Sequence, residues 1–183
     1  MLLDLTLGGW ALFELSLRVR ESVQSRGGTG RDRATRFLIA ATLGGAIGLT
    51  SAAASLAPSL RMPGPHRAAG LIVMWLGLAI RVWAVATLGR AFRTTVEVDP
   101  DQAVVTSGPY RWVRHPSYTG LLLIVIGLGL AVGNGLALAI CVALPLPAIL
   151  RRIRVEEAEL NGVLGEPYRA YQAQTKRLIP GVW

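Results

Sequence analysis

Charge and sulfur are both scarce in this chain. Only 16% of its 183 residues are Asp, Glu, Lys or Arg, against roughly 25% in ordinary soluble domains. Hydrophobic residues make up 52%, and mean hydropathy is +0.45. At this length the chain builds one small bundle and not two cores. A soluble bundle would leave much of that apolar surface uncovered, so composition points to a polytopic membrane protein. The single cysteine, Cys141, lies within an apolar run. That excludes an internal disulfide and a thiolate metal cluster, and reads as a small buried hydrophobe. With only two histidines, His66 and His115, no His/Cys/carboxylate set has ligand spacing, and no metal is expected. No phosphate-cradling glycine loop is present either: GLGLAVG, from Gly127, sits inside an apolar helix without the required spacing or a preceding strand. Met1 to Asp4 offers no basic segment and Glu14 interrupts the first apolar run, so a cleavable signal peptide is not expected. The net charge of +8 comes from arginines clustered between apolar runs. Nucleic-acid binding wants them along one aromatic-interleaved surface, so it is not expected.

What is there is a series of greasy segments with basic connections. Leu5 to Leu17 is a short first segment carrying Glu14; it begins as early as Leu2, tilts, or inserts only partly. Phe37 to Leu60 runs without charge and is long enough to cross a hydrocarbon core of about 30 Å as a helix. Its GGAIGLTSAAAS stretch suits close helix packing. After a Pro-rich turn from Pro58 to His66, Ala68 to Gly89 makes a third span containing Arg81, which either snorkels or pairs within the bundle. The polar loop Arg90 to His115 carries two candidate extended pieces, Thr95 to Val98 and Ala103 to Thr106. Pro116 to Leu150 is uncharged and too long for one crossing; Gly133-Asn134-Gly135 predicts a tight hairpin within 117–150, with Pro145 and Pro147 kinking its second helix. A charged helix then ends near Gly162 to Gly165, followed by a short helix around Pro167 to Ala173.

The expected fold is therefore an all-α, polytopic membrane bundle of about five transmembrane helices, one domain over 1–183, with a helical C-terminal tail. Five spans put sixteen of the nineteen Lys and Arg on one side. By the positive-inside rule that side, with the C-terminus, is cytoplasmic and the N-terminus outside.

Three polar groups share that face. The first is Gly108 to Gly120, GPYRWVRHPSYTG, where Tyr110, Trp112 and Tyr118 read equally as interface-belt aromatics or ligand contacts. Here His115 reads most simply as an interfacial histidine bonded to nearby backbone. The second is Arg152 to Glu159, with Arg152 and Glu156 at i,i+4. By spacing alone this is an ordinary surface helix with a salt bridge of about 0.3 to 0.5 kcal/mol. Glu157 lies about 100° around the helix from Glu156, so the two are not expected to serve one partner. The third is Gly165 to Tyr171.

In this order, GPYRWVRHPSYTG, then R-x-x-x-E-E-x-x-L (Arg152, Glu156, Glu157, Leu160), then G-x-x-Y-x-x-Y (Gly165, Tyr168, Tyr171) and a closing Pro180 resemble the isoprenylcysteine carboxyl methyltransferase family. The resemblance covers about Leu88 to Pro180; the first two spans match only in hydropathy. It implies an integral membrane enzyme that takes S-adenosyl-L-methionine from the cytosol and a lipophilic or lipidated acceptor from the bilayer, with its site built from 89–120 and 151–183. It places Gly108, Pro109, Tyr110, His115, Pro116, Tyr118, Glu157, Tyr168 and Tyr171 around the cofactor, and Arg114, Arg152 and Glu156 at the transfer point. It also places Gln102, in DQAVVTSGPY, among the cofactor-binding residues, where relatives often have histidine; glutamine donates and accepts but carries no charge.

The residue types suit that chemistry. A carboxylate acceptor of pKa near 3.5 is already ionised at neutral pH, so no strong base is needed; in-line alignment matters most. Arginine clamps a carboxylate by its fork, a glutamate accepts from ribose hydroxyls or an amine, and aromatic rings face a sulfonium. Two alternatives within related membrane methyltransferases are phospholipid N-methylation and thiol S-methylation. A sterol-type membrane reductase using NADPH is the alternative enzyme class, since such proteins are similar in an R-H-x-N-Y motif and a Y-x-x-Y tail. A non-enzymatic scaffold is the remaining one.

Overall fold

A computed structural model describes residues 2–24, 30–89 and 103–183. Its helices are α1 (Leu2–Gln24), α2 (Gly30–Leu56), α3 (His66–Leu88), α4 (Pro116–Val132), α5 (Gly135–Ala143), α6 (Pro145–Leu164) and α7 (Glu166–Gln174), with single 3-10 turns at Pro58–Leu60 and Gly108–Arg111. Among the described residues there is no β-strand, only two isolated bridges. Ala103 to Thr106 has no regular structure; Thr95 to Val98 and Gln102 lie outside the described residues.

α3 and α4 form the densest pair, and glycine is the reason. A Cβ on Gly77 would lie 2.6 Å from the Gly120 carbonyl oxygen, and one on Gly127 would lie 2.6 Å from that of Gly70. Gly70 and Gly77 are thus met, in antiparallel order, by Gly127 and Gly120, and only glycine lets the two backbones come so near. The small-residue stretch of the second span packs closely, as expected, but mainly through alanine and threonine. A Cβ on Gly44 or Gly48 would meet nothing within 4 Å; that stretch packs through Ala46, Thr50 and Ala53, all 3% exposed or less. The closest glycine-mediated backbone approaches are made by α4, at Gly120 and Gly127 against α3 and at Gly129 against Leu138 of α5.

Arg81 pairs within the bundle. It is 6% exposed; Nη2 donates to Glu14 of α1 at 2.8 Å, and Nη1 to the Ser117 hydroxyl of α4 at 2.6 Å. Glu14, the charge that interrupts the first apolar run, thereby ties α1 to the α3–α4 hairpin, and it also accepts from Trp10 Nε1 at 3.0 Å.

At the opposite end of the bundle Asn134 makes the hairpin turn. Its Oδ1 accepts from the amides of Leu136 and Ala137, capping α5, while Nδ2 donates to the Ala57 carbonyl at 2.7 Å. α5 and α6 meet at Leu144 with Pro145 in the first turn of α6, the break expected from the prolines. Among the described residues three stretches are long and apolar enough to cross a membrane: Ala34–Leu56, His66–Leu88 and Gly135–Leu164; Pro116–Val132 is a shorter apolar helix. α1, expected as the remaining span, is 23 residues long and is not among these three stretches.

Candidate functional site

The site begins at a His-Pro step. Pro116 occupies the first turn of α4, where its missing N–H costs nothing. Proline also pushes the preceding residue out of helical geometry, and His115 has φ −124° and ψ 55°. The His115 carbonyl still accepts from the amides of Tyr118 and Thr119, so the helix starts there while the ring is directed elsewhere. Upstream, Gly108 turns the chain at φ +57°, and a Cβ there would lie 2.7 Å from the Thr87 hydroxyl. That turn buries Pro109 and Tyr110.

The ring of His115 sits between two carboxylates. Nε2 is 3.3 Å from Glu157 Oε1, and Nδ1 is 3.7 Å from Glu156 Oε1. The two adjacent glutamates therefore do share a partner, contrary to the expectation from their angular separation. α6 buries Ile149, Arg152, Ile153 and Glu157; the inward direction passes between positions 156 and 157, leaving each about 50° to one side of it. The same stripe that is apolar at Ile149 and Ile153 becomes ionic one turn later. This is not a surface helix: Arg152 is 2% exposed and Glu157 5%. Nor is His115, at 4% exposed, a histidine held only by backbone.

Glu157 is the hub. Oε1 also accepts from Arg114 Nε at 3.0 Å, and Oε2 accepts from Arg177 Nε at 3.0 Å and Nη2 at 2.8 Å. Both of its oxygens are occupied by cations from the loop and the tail. Glu156 is freer: its side chain is 29% exposed, and Oε2 accepts from the Tyr118 hydroxyl at 2.9 Å. Tyr118 in turn accepts from Arg152 Nε at 3.2 Å, and Arg152 Nη1 donates to Thr35 of α2 at 3.0 Å.

The C-terminal tail is sewn to the loop. The amides of Arg114 and His115 donate to the carbonyls of Lys176 and Arg177 at 2.7 and 3.0 Å. Arg114 Nη1 donates to the carbonyls of Gln172 and Thr175. Thr119 donates to Leu178 O at 2.8 Å, and the Tyr171 hydroxyl to Tyr110 O at 2.6 Å. Tyr168 and Tyr171 are buried, with ring centroids 6.0 Å apart. Burial pushes the Tyr171 hydroxyl up to about 12, so it stays a proton donor. For His115, burial disfavours the charged ring, but the hydrogen bonds to Glu156 and Glu157 outweigh it and raise its pKa above the ordinary 6.5.

Of the residues singled out from sequence, Gly108, Pro109, Tyr110, Arg114, His115, Pro116, Tyr118, Arg152, Glu156, Glu157, Tyr168 and Tyr171 thus come together at one end of the bundle. Gln102 lies outside the described residues. Two contributors were missed. Arg177 counted only toward topology, although its place just before the closing Pro180 was a signal. Thr35 gave none.

Helix length and composition fit a membrane bundle, and the geometry sets a buried ionic cluster where a loop, a helix and a tail converge. The sequence model of the isoprenylcysteine carboxyl methyltransferase family matches residues 70–162, and the chain belongs to that family. It is 34% identical over 113 residues to the protein-S-isoprenylcysteine O-methyltransferase of Tribolium castaneum, covering 61% of this chain and 40% of that one. With protein-S-isoprenylcysteine O-methyltransferase A of Arabidopsis thaliana it shares 31% identity over 115 residues, 62% of this chain and 58% of the other. The solved structure of the eukaryotic intramembrane Ras methyltransferase, also named isoprenylcysteine carboxyl methyltransferase, superimposes with a TM-score of 0.62 at 30% identity, covering 78% of this chain and 52% of that one. The chain thus spans roughly half the length of these relatives, and it shares with that structure an integral membrane helical fold.

Proposed function

We propose that this protein is a membrane methyltransferase that uses S-adenosyl-L-methionine to esterify the carboxylate of a lipophilic, isoprenylcysteine-like acceptor. One observation carries the reading. His115 to Tyr118 and Arg152 to Glu157, both inside the family-matched region 70–162, converge on one buried cluster at a membrane helix end.

The residues present fit a cationic methyl donor. The Glu156 side chain is 29% exposed, and a carboxylate there suits an ammonium or a hydroxyl, while Tyr168 and Tyr171 supply aromatic faces for a sulfonium. When bound, the donor supplies an electrophilic methyl on sulfur. His115, Pro116, Tyr118 and the Gly108 to Tyr110 turn would line one side of it, and the tail tyrosines the other. Glu157 works through others: with its oxygens held by Arg114, Arg177 and His115, it fixes the pocket wall. That geometry also divides the two candidate acceptor clamps. Arg114 is bound to Glu157 and the tail carbonyls on the donor side, and Arg152, which donates to the hydroxyls of Thr35 and Tyr118 beside Glu156, is given the clamp role. An acceptor carboxylate is ionised at neutral pH, so Arg152 orients it and no residue need remove a proton.

With α1 counted as a fifth span, the positive-inside rule favours a site on the cytoplasmic side of a cell membrane and an N-terminus outside; the acceptor then reaches Arg152 from the bilayer. Assay with methyl-labelled S-adenosylmethionine against a prenylcysteine analogue, a fatty acid, phosphatidylethanolamine and a small thiol tests the reading. Base-labile label in the prenylcysteine analogue is expected. Label in phosphatidylethanolamine or the thiol would replace it with N- or S-methylation, and thermal stabilisation by NADPH alone would replace the reaction class.

A further inference from the structure

Arg152 is one of the largest fully enclosed side chains in the described structure. An arginine so buried has its planar fork aimed by whatever accepts its N–H groups. One such group is Tyr118, already part of the site. Another is Thr35, whose Oγ1 accepts from Nη1 at 3.0 Å across 117 residues of sequence. Thr35 is 3% exposed and stands near the start of α2, outside the family-matched region 70–162. Its branched, buried side chain has few rotamers open to it, which limits where the hydroxyl can lie.

We propose that Thr35 is a positioning residue for the transfer reaction: its hydroxyl sets the plane of the Arg152 guanidinium, and so the direction in which the acceptor carboxylate is held. The inference rests on the clamp role given to Arg152 above. It makes α2, which lies outside the family-matched region 70–162, a wall of the acceptor side of the site. Because small misalignments at a transfer point cost rate out of proportion to their size, an effect on turnover is expected where a packing role would give only an effect on stability.

Two measurements test it on the full-length protein in detergent or nanodiscs. In steady-state transfer to a prenylcysteine analogue, Thr35→Val is expected to lower kcat about ten- to a hundredfold, as for a lost hydrogen bond to a charged group. KM for S-adenosylmethionine should stay within about twofold, because Thr35 touches Arg152 and not the donor side. Thr35→Ser, which keeps the hydroxyl, should recover most of the rate. A Thr35→Val protein with wild-type kcat, or a Thr35→Ser protein as slow as Thr35→Val, overturns the proposal. Independently of any activity, melting temperatures of Thr35→Val, Arg152→Gln and the double variant should be non-additive, the double melting close to Arg152→Gln alone; additive shifts overturn the contact. If the wild type methylates no acceptor while the melts remain non-additive, the methyltransferase reading and the rate effect fall together, and Thr35 stands as the anchor of Arg152 only.

Discussion

His115 Nε2 lies 3.3 Å from Oε1 of Glu157, inside a site where the ring is 4% exposed. With Glu156 on its other nitrogen, the imidazole has an acceptor at each end, the arrangement that suits a doubly protonated ring. The folded protein therefore holds its proton more tightly than the unfolded chain does: the pKa lies above the ordinary 6.5. A raised folded pKa gives stability that is complete below the unfolded value and is lost as pH rises through the folded one. Melting temperature is expected to be level in this respect below pH 6.5 and to fall on the alkaline side, with His115→Gln flattening the slope. A melting temperature that climbs through neutrality because of His115 would refute the assignment.

Glu157 faces three cationic groups, so removing its charge leaves them buried together. Glu157→Gln is expected to cost about 3 kcal/mol, the loss seen when one partner of a buried pair is deleted. It should also loosen the tail, seen as faster tryptic cleavage at Lys176 and Arg177 than in the wild type. Unchanged cleavage would mean that the backbone bonds from Arg114 and His115 hold the tail without Glu157.

The α3–α4 seam makes a sharper contrast. Gly77→Ala or Gly120→Ala forces a Cβ to 2.6 Å from a facing carbonyl and is expected to destabilise by about 1 to 3 kcal/mol. Gly48→Ala, where a Cβ meets nothing within 4 Å, should be neutral or slightly stabilising through helix propensity. Unfolding in mixed micelles measures both. Equal effects at Gly48 and Gly77 would contradict the seam.

Glu14 and Arg81 form a buried pair across α1 and α3. Glu14→Gln should destabilise more than the double variant Glu14→Gln/Arg81→Met, because the single change leaves a buried guanidinium short of its counter-charge. Measured by the same unfolding assay, a double variant less stable than the single would show that the pair is incidental.

These contrasts also mark where the sequence was legible. Turns announced themselves chemically: Gly133-Asn134 at the hairpin, Pro145 at the start of α6, Gly165 at its end and the Glu166 to Gln174 helix all lie where glycine, proline and asparagine require a break. The site residues were legible as motifs because their spacing repeats a family pattern. Contacts set by helix rotation were not. That Glu156 and Glu157 both face His115 depends on a half-step of helix phase, fixed by the burial of Ile149 and Ile153. The same holds for the glycines of α3 and α4, scattered through apolar runs until antiparallel packing aligns them. Thr35 on Arg152 is a tertiary contact across 117 residues, with nothing local to announce it.

The central claim is that the Gly108 to Gly120 loop and the Gly165 to Leu178 tail make one donor site, joined through Arg114, Glu157 and Tyr171. Calorimetric titration with S-adenosylhomocysteine, comparing the full chain with one ending at Leu164 that still inserts in membranes, tests it most directly. The account predicts saturable binding to the full chain and none to the shortened one. Equal affinity in both would contradict it, since the cofactor would then be held without the tail.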